Sequence, residues 1–173
     1  MRLSPATTAI YVIDVQERLA AAVPDAARVI ERSGRLVEAA RLLGVPRLLT
    51  EQYPRGLGRT VPDLVSQLPP PVEKMSFSCL PCLPPPAGVE AVVLAGLETH
   101  VCVTQTALDI LATGRSVFIA VDAVAARHAI DHEVGLRRLE TAGAVLTTTE
   151  AVLFEWCRTA EHPQFQAIRR LVL

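Results

Sequence analysis

Short apolar runs that close on a charged or polar residue alternate along the chain with stretches whose hydrophobic positions recur every three or four residues. Ala9 to Val15 is a continuous apolar run and predicts the first strand. Val29, Ser33, Leu36, Val37, Ala40 and Leu43 fall at helical spacing between Pro24 and Gly44, which predicts a helix from Asp25 to Leu43. Arg47 to Glu51 reads as a second strand, and the loop Gln52 to Arg59 holds Pro54, Gly56 and Gly58, which break regular structure. A short helix is expected over Val61 to Gln67, then a third strand over Val72 to Met75. Proline clusters at Pro69 to Pro71 and at Pro81 and Pro84 to Pro86 mark surface connections. Val89 to Leu97 is the most apolar strand, followed by a helix from Val101 to Thr113 that stops at Gly114. Ser116 to Val121 predicts a fifth strand ending at Asp122, and Asp131 is expected to cap a helix running to Ala142. Ala144 to Thr148 forms a sixth strand, and helices near Ala151 to Arg158 and Pro163 to Leu171 close the chain. Strands and helices in this alternation predict an α/β fold of βαβ units on a parallel sheet.

Composition sharpens that picture. With 173 residues, 50% hydrophobic and only 4% aromatic, the chain is expected to form one domain over 1–173 with a core of Ala, Val, Leu and Ile. A formal net charge of -1 supplies no basic field for phosphate backbones, so nucleic acid is not an expected partner. No apolar run reaches the roughly 20 residues that span a bilayer, and the segment Met1 to Thr8 leads into too short an apolar stretch for a secretory signal. The expectation is a cytoplasmic protein, no membrane partner, and reduced thiols at Cys79, Cys82, Cys102 and Cys157. A mean hydropathy of +0.33 leaves apolar surface to cover, which predicts a homo-oligomer. The stretch Pro81 to Pro86 and the stripe Phe165, Ile168, Leu171 and Val172 are the expected contact surfaces.

Candidate chemistry lies at the carboxyl ends of the predicted strands, where loops of an open parallel sheet converge. Asp14 follows the first strand, Lys74 ends the third, and Cys102 comes just after Glu98-Thr99-His100, which leaves the fourth. A thiol in the first turn of a helix faces unpaired N–H groups and the positive end of the macrodipole, so a thiolate nucleophile is expected at Cys102, stabilised by Lys74. Asp14 is the expected general base. Cys79-Leu80-Pro81-Cys82 has CxxC spacing but no second ligand pair, and it reads as a loop. His128 and His132 read as surface histidines, and Cys157 as packing beside Leu153 and Trp156.

Several separated segments resemble the isochorismatase-like cysteine hydrolase superfamily, nearest to its branch of isochorismatase-domain-containing proteins. They are Tyr11 to Gln16, Thr50 to Gly58, Glu73 to Ser78, Gly96 to Val103, Asp122 to Arg127, Thr147 to Glu150 and His162 to Phe165. The resemblance implies a three-layer Rossmann-like fold with a six-stranded parallel sheet flanked by helices, and a catalytic triad of Asp14, Lys74 and Cys102. It further implies a cis peptide at Leu97-Glu98, an oxyanion hole from the N–H groups of Glu98 and Cys102, and Gln16 facing the pocket beside Asp14. Nicotinamidases of the superfamily carry an Asp-x-His metal site after the second strand. Here that loop reads Thr50-Glu51-Gln52-Tyr53-Pro54 without histidine, so neither metal nor other cofactor is expected. Substrate would then be held by Gln52, Tyr53, Phe77 and His100, a set suited to a small uncharged amide or a flat ring. The expected activity is hydrolysis of a C–N bond through a thioester, with a catalytically silent binding or scaffold protein as the competing reading.

Overall fold

The computed structural model describes residues 2–173. Six strands form one parallel sheet: β1 (Thr8–Ile13), β2 (Arg47–Gln52), β3 (Val72–Lys74), β4 (Ala91–Leu97), β5 (Ser116–Ala125) and β6 (Val145–Thr147). Their order across the sheet is β3-β2-β1-β4-β5-β6. The helices are α1 (Glu17–Ala22), α2 (Ala26–Leu43), α3 (Pro54–Leu57), α4 (Pro62–Val65), α5 (Thr104–Ala112), α6 (Ala129–Thr141), α7 (Thr149–Cys157) and α8 (Phe165–Arg170).

Strand residues point alternately to opposite faces, and both faces of this sheet are covered, so its central strands are apolar throughout rather than alternating. From β1, Ile10 packs with Leu36 and Ala40 of α2 and with Trp156 of α7. Ala9, Tyr11 and Ile13 pack the other way, with Ala107 and Ile110 of α5 and Leu139 of α6. A third cluster joins Val12 and Leu49 to Val29 and Val37 of α2 and Leu64 of α4. Two buried layers thus clamp β1 and β4 and fix the register of the strands that carry the candidate residues. Ile13 stands opposite Gly96 and Thr50 opposite Ile13 in the two ladders.

Several expectations change. The strand expected to end at Asp122 continues to Ala125 through an irregularity, where pairing shifts from Leu94↔Ile119 to Gly96↔Val124. Asp122 is tolerated there because its carboxylate accepts hydrogen bonds from Thr149 N (2.8 Å) and Thr149 Oγ1 (3.0 Å), outside the ladder. Asp131 does not cap α6: the helix starts earlier, with His128 at its N-cap, and Asp131 lies in the first turn. The terminal stripe expected to meet another subunit is taken up internally. Ile168 is buried in the first core cluster, and Phe165, Leu171 and Val172 pack against it. Cys157 packs in that cluster beside Leu153 and Trp156, as expected. Among the described residues no helix is long and apolar enough to cross a membrane.

Candidate active site

Strand order reverses between β1 and β4, and the crevice beyond their carboxyl ends is the topological switch point of the sheet. Backbone strain concentrates there. Asp14 (φ 53°), Tyr53 (φ 38°) and Glu98 (φ 61°), the residues just past β1, β2 and β4, all sit in the left-handed region. Each such residue costs of order 1 kcal/mol or more and persists only where the surroundings dictate it. Gly96 (φ 143°) is part of the same device: a Cβ there would lie 2.1 Å from the Ile13 carbonyl oxygen, so only glycine lets β4 approach β1 this closely.

Asp14 and Lys74 form a fully buried ion pair, with Lys74 Nζ donating to Asp14 Oδ2 at 2.7 Å. The other carboxylate oxygen accepts from Thr50 Oγ1 at 2.8 Å. Lys74 Nζ also donates to Gln52 Oε1 (2.7 Å) and to the carbonyl oxygens of Phe77 (3.0 Å) and Ser76 (3.3 Å). A buried ammonium tends to lose its proton. Here burial pulls in that direction, but the charge of Asp14 and its hydrogen bond to the ammonium outweigh it and hold the lysine titration above its ordinary value. The long arm of Lys74 therefore carries a fixed positive charge from the edge strand β3 to the crevice two strands away.

Cys102 lies in a π-helical turn, Thr99–Val103, which leads directly into α5. Such turns recur at functional sites because they re-aim one side chain. The thiol is 4% exposed, and burial first, then the Asp14 charge, pushes its titration well above the ordinary thiol value. Lys74 opposes this and loses. The resting group is a neutral thiol, which corrects the thiolate expected from its place at a helix start. The macrodipole argument omits desolvation and a neighbouring carboxylate, and both act in the opposite sense. The charge of Asp14 acts on that thiol while its carboxylate is paired with Lys74. A carboxylate, an ammonium and a thiol are thus all buried at this crevice.

The isochorismatase domain profile matches residues 8–151. The chain belongs to the isochorismatase family. It is 38% identical to mouse isochorismatase domain-containing protein 2A, over 99% of this chain and 85% of that protein. A solved structure described as the MAR1 ribonuclease of Caenorhabditis elegans superimposes with a TM-score of 0.94 at 40% identity, covering 99% of this chain and 92% of that one. YcaC from Pseudomonas aeruginosa, described with hexane-2,5-diol and covalent acrylamide, superimposes with a TM-score of 0.86 at 25% identity, covering 99% and 92%.

In this isochorismatase-family chain the remaining expected residues separate into two groups. Gln16 does not face the crevice: it is fully buried, its Nε2 donates to the carbonyls of Gln52 (3.0 Å) and Gly58 (2.7 Å), and its Oε1 accepts from Gln52 N (2.7 Å). Its amide is spent on backbone, so it ties the loop after β2 to the end of β1. Gln52 is likewise committed, to Lys74 and to the Met75 carbonyl at 2.9 Å. Tyr53 (47% exposed) and Phe77 (49% exposed) are free to meet a ligand, together with Met75. A cleft of about 500 Å³ lies beside them, lined by Tyr53, Pro54, Arg55, Glu73, Lys74 and Met75. A larger one of about 620 Å³, around Val45 to Arg47 and Gln67 to Pro69, is at the opposite, amino edge of β2 and away from this chemistry. His100 has a buried Nδ1 without a hydrogen-bond partner among the described residues, and its Nε2 lies 3.8 Å from Asp131 Oδ2.

The peptide bond at Leu97-Glu98 is not cis; the described residues contain no cis bond, and the chain turns instead through the left-handed Glu98. Sequence reasoning missed four contributors. Thr50 orients Asp14, and Cys79 Sγ lies 3.5 Å from the same hydroxyl. His132, expected at the surface, pairs its Nδ1 with Thr99 Oγ1 at 2.9 Å. Gly135 of α6 lets that helix press on the nucleophile turn, since a Cβ there would lie 3.2 Å from His100 Cα. Only Gly135 left a sequence signal, a glycine in the middle of a helical segment.

Proposed function

We propose that this isochorismatase-family protein is a cysteine hydrolase that cleaves the C–N bond of a small, uncharged amide. The observation that carries the reading is the burial of Cys102, Asp14 and Lys74 at the switch point, with the Asp14 carboxylate paired to the ammonium and its charge acting on the thiol. Substrate entry brings a carbonyl carbon to the Cys102 sulfur. As the S–C bond forms, Asp14 takes the thiol proton, and the carbonyl electrons move to oxygen, where the N–H groups of Glu98 and Cys102 receive them. Collapse of this adduct breaks the C–N bond, and Asp14 returns the proton to the departing nitrogen, releasing ammonia or an amine. A water molecule, deprotonated by Asp14, then attacks the thioester, releases the carboxylic acid and restores the thiol. Lys74 holds the Asp14 carboxylate in place by their ion pair until substrate arrives, and Tyr53, Phe77 and His100 provide a partly aromatic rim.

A neutral resting thiol suits this sequence of steps. The nucleophile is generated only when a carbonyl is present to accept it, so a buried thiolate need not be maintained in the empty site. Acrylamide, named as covalently held in the Pseudomonas relative's structure, is both a small amide and a thiol-reactive alkene, which makes it a suitable probe here. The test is a panel of small amides assayed for ammonia release, with mass-spectrometric mapping of the acrylamide adduct. Ammonia release abolished by Cys102→Ser, with the adduct on Cys102, is the expected result. Absence of both would favour a silent binding protein. RNA cleavage that survives Cys102→Ser would favour the activity named in the C. elegans relative.

A further inference from the structure

Glu98 has two connected parts. Its backbone forms the turn after β4 in a left-handed conformation (φ 61°, ψ 64°), and its N–H is the proposed oxyanion donor. Its carboxylate is 6% exposed and is gripped by one residue, Arg127, two positions beyond the end of β5. Arg127 donates to it three times: backbone N to Oε1 at 3.1 Å, Nε to Oε2 at 3.2 Å and Nη2 to Oε2 at 3.1 Å. Leu97 and Ala125 are ladder partners, so the grip closes directly across the ends of the two strands.

We infer that Arg127 is a positioning residue, which sets the oxyanion-binding turn through its three hydrogen bonds to the Glu98 carboxylate. Several features support this assignment. A non-glycine residue in the left-handed region needs an external restraint, and the side chain of Glu98 is the handle by which Arg127 supplies one. Paired guanidinium and backbone donors fix direction as well as distance, which a single point charge would not do. His100 Nε2 is 4.0 Å from Glu98 Oε2, too far to replace the grip. The guanidinium remains half exposed, so Arg127 belongs to the wall of the turn and not to the buried set of Asp14, Lys74 and Cys102.

This inference rests on the proposed acyl chemistry, and the experiment keeps the two apart. Acylation of Cys102 by p-nitrophenyl acetate builds an oxyanion, whereas alkylation by iodoacetamide displaces iodide and builds none. In Arg127→Met the acylation rate should fall about 10- to 100-fold, the range expected when an oxyanion donor is misplaced. The iodoacetamide rate on Cys102 should stay within about twofold of wild type, and Arg127→Lys should restore part of the acylation rate. Because Arg127→Met leaves a buried carboxylate unpaired, the double variant Glu98→Gln/Arg127→Met serves as the stability control: it should regain thermal stability but not acylation. Equal loss of acylation and alkylation would overturn the inference, as would unchanged acylation or recovery of acylation in the double variant. Wild-type Cys102 that is alkylated but never acylated would overturn the hydrolase reading, and the role of Arg127 with it.

Discussion

Asp14 has two roles that a single substitution separates. In the resting site its charge raises the Cys102 titration, second only to burial, and during turnover it is the proposed base. Asp14→Asn keeps the shape, still accepts from Thr50, and tolerates the left-handed backbone at this position (φ 53°). It removes the charge. A carboxylate this near moves a neighbouring titration by about one to three pH units, so the thiolate fraction of Cys102 at neutral pH should rise about 10- to 1000-fold. A weaker base is a weaker nucleophile, with a Brønsted slope of roughly 0.4 to 0.5, which reduces the gain in iodoacetamide alkylation to about 3- to 60-fold. Loss of the Asp14 charge also weakens the hold on Lys74, but the pull of Lys74 on the thiol is the smaller of the two, so the direction stands. Amide hydrolysis should fall by about 10² to 10⁴, the usual contribution of a positioned base. The assay is paired: alkylation of Cys102 followed by peptide mass spectrometry, and ammonia release on the same samples. Faster labelling with slower turnover is expected. Labelling and turnover that fall together would show that Asp14 ionises the resting thiol, and the neutral-thiol mechanism would be wrong.

Lys74→Met should cost about 3 to 5 kcal/mol in urea unfolding, because it strands the fully buried Asp14 carboxylate, and Asp14→Asn/Lys74→Met should recover much of that; a single-variant loss below about 1 kcal/mol would show that the pair is solvated. Gly135→Ala should not deliver the roughly 1 kcal/mol gain of an ordinary helix glycine, since its Cβ meets His100 Cα at 3.2 Å, and it should slow hydrolysis; a full gain in thermal stability with unchanged turnover would show that α6 does not press on the nucleophile turn. Burial, then Asp14, pushes the Cys79 thiol from 9.0 up to about 11, so its contribution to stability is fully present below pH 9 and lost as pH rises through 11. Cys79→Ser should flatten the fall in unfolding free energy across that window by up to about 3 kcal/mol, and an unchanged slope would place the effect elsewhere.

The parts of the fold that were legible in the sequence are those decided by local pattern. β1 and β4 lie between two covered faces, and continuous apolar runs at Ala9 to Val15 and Val89 to Leu97 betray such strands. Asp14, Lys74 and Cys102 could be singled out as candidates because each lies at or soon after the carboxyl end of a strand, and strand ends converge whatever the detailed packing. Properties set by neighbours distant in sequence were not legible. The titration of the thiol at 102 is raised by its buried setting and then by a carboxylate 88 positions earlier, neither visible in Glu98-Thr99-His100-Val101-Cys102. The stripe Phe165, Ile168, Leu171 and Val172 was correctly apolar, but periodicity says only that a face is buried and not against what; here it is the molecule's own core, with α7 alongside. Gln16 shows the same limit, since a polar residue beside a candidate base is equally consistent with gripping substrate and with tying down a loop.

The left-handed residues past three strands link architecture to chemistry. Asp14, Tyr53 and Glu98 would each relax in isolation, and each is held by a bond that crosses between strand ends. Asp14 N donates to the Thr50 carbonyl, Tyr53 N to the Lys74 carbonyl, and the Glu98 carboxylate accepts from Arg127. The sheet beneath supplies the stiffness, because β1 and β4 are packed on both sides by two apolar layers that cannot shift without opening cavities. Strain at the crevice is therefore offset by packing far from it, and the side chains at 14 and 98 are delivered at fixed directions without substrate. This ordering explains why a neutral thiol suffices as the resting nucleophile. In the proposed mechanism base, cation and oxyanion donors are already in place, so substrate need only displace solvent and present its carbonyl, and the chemical step requires little rearrangement beyond the proton passed to Asp14.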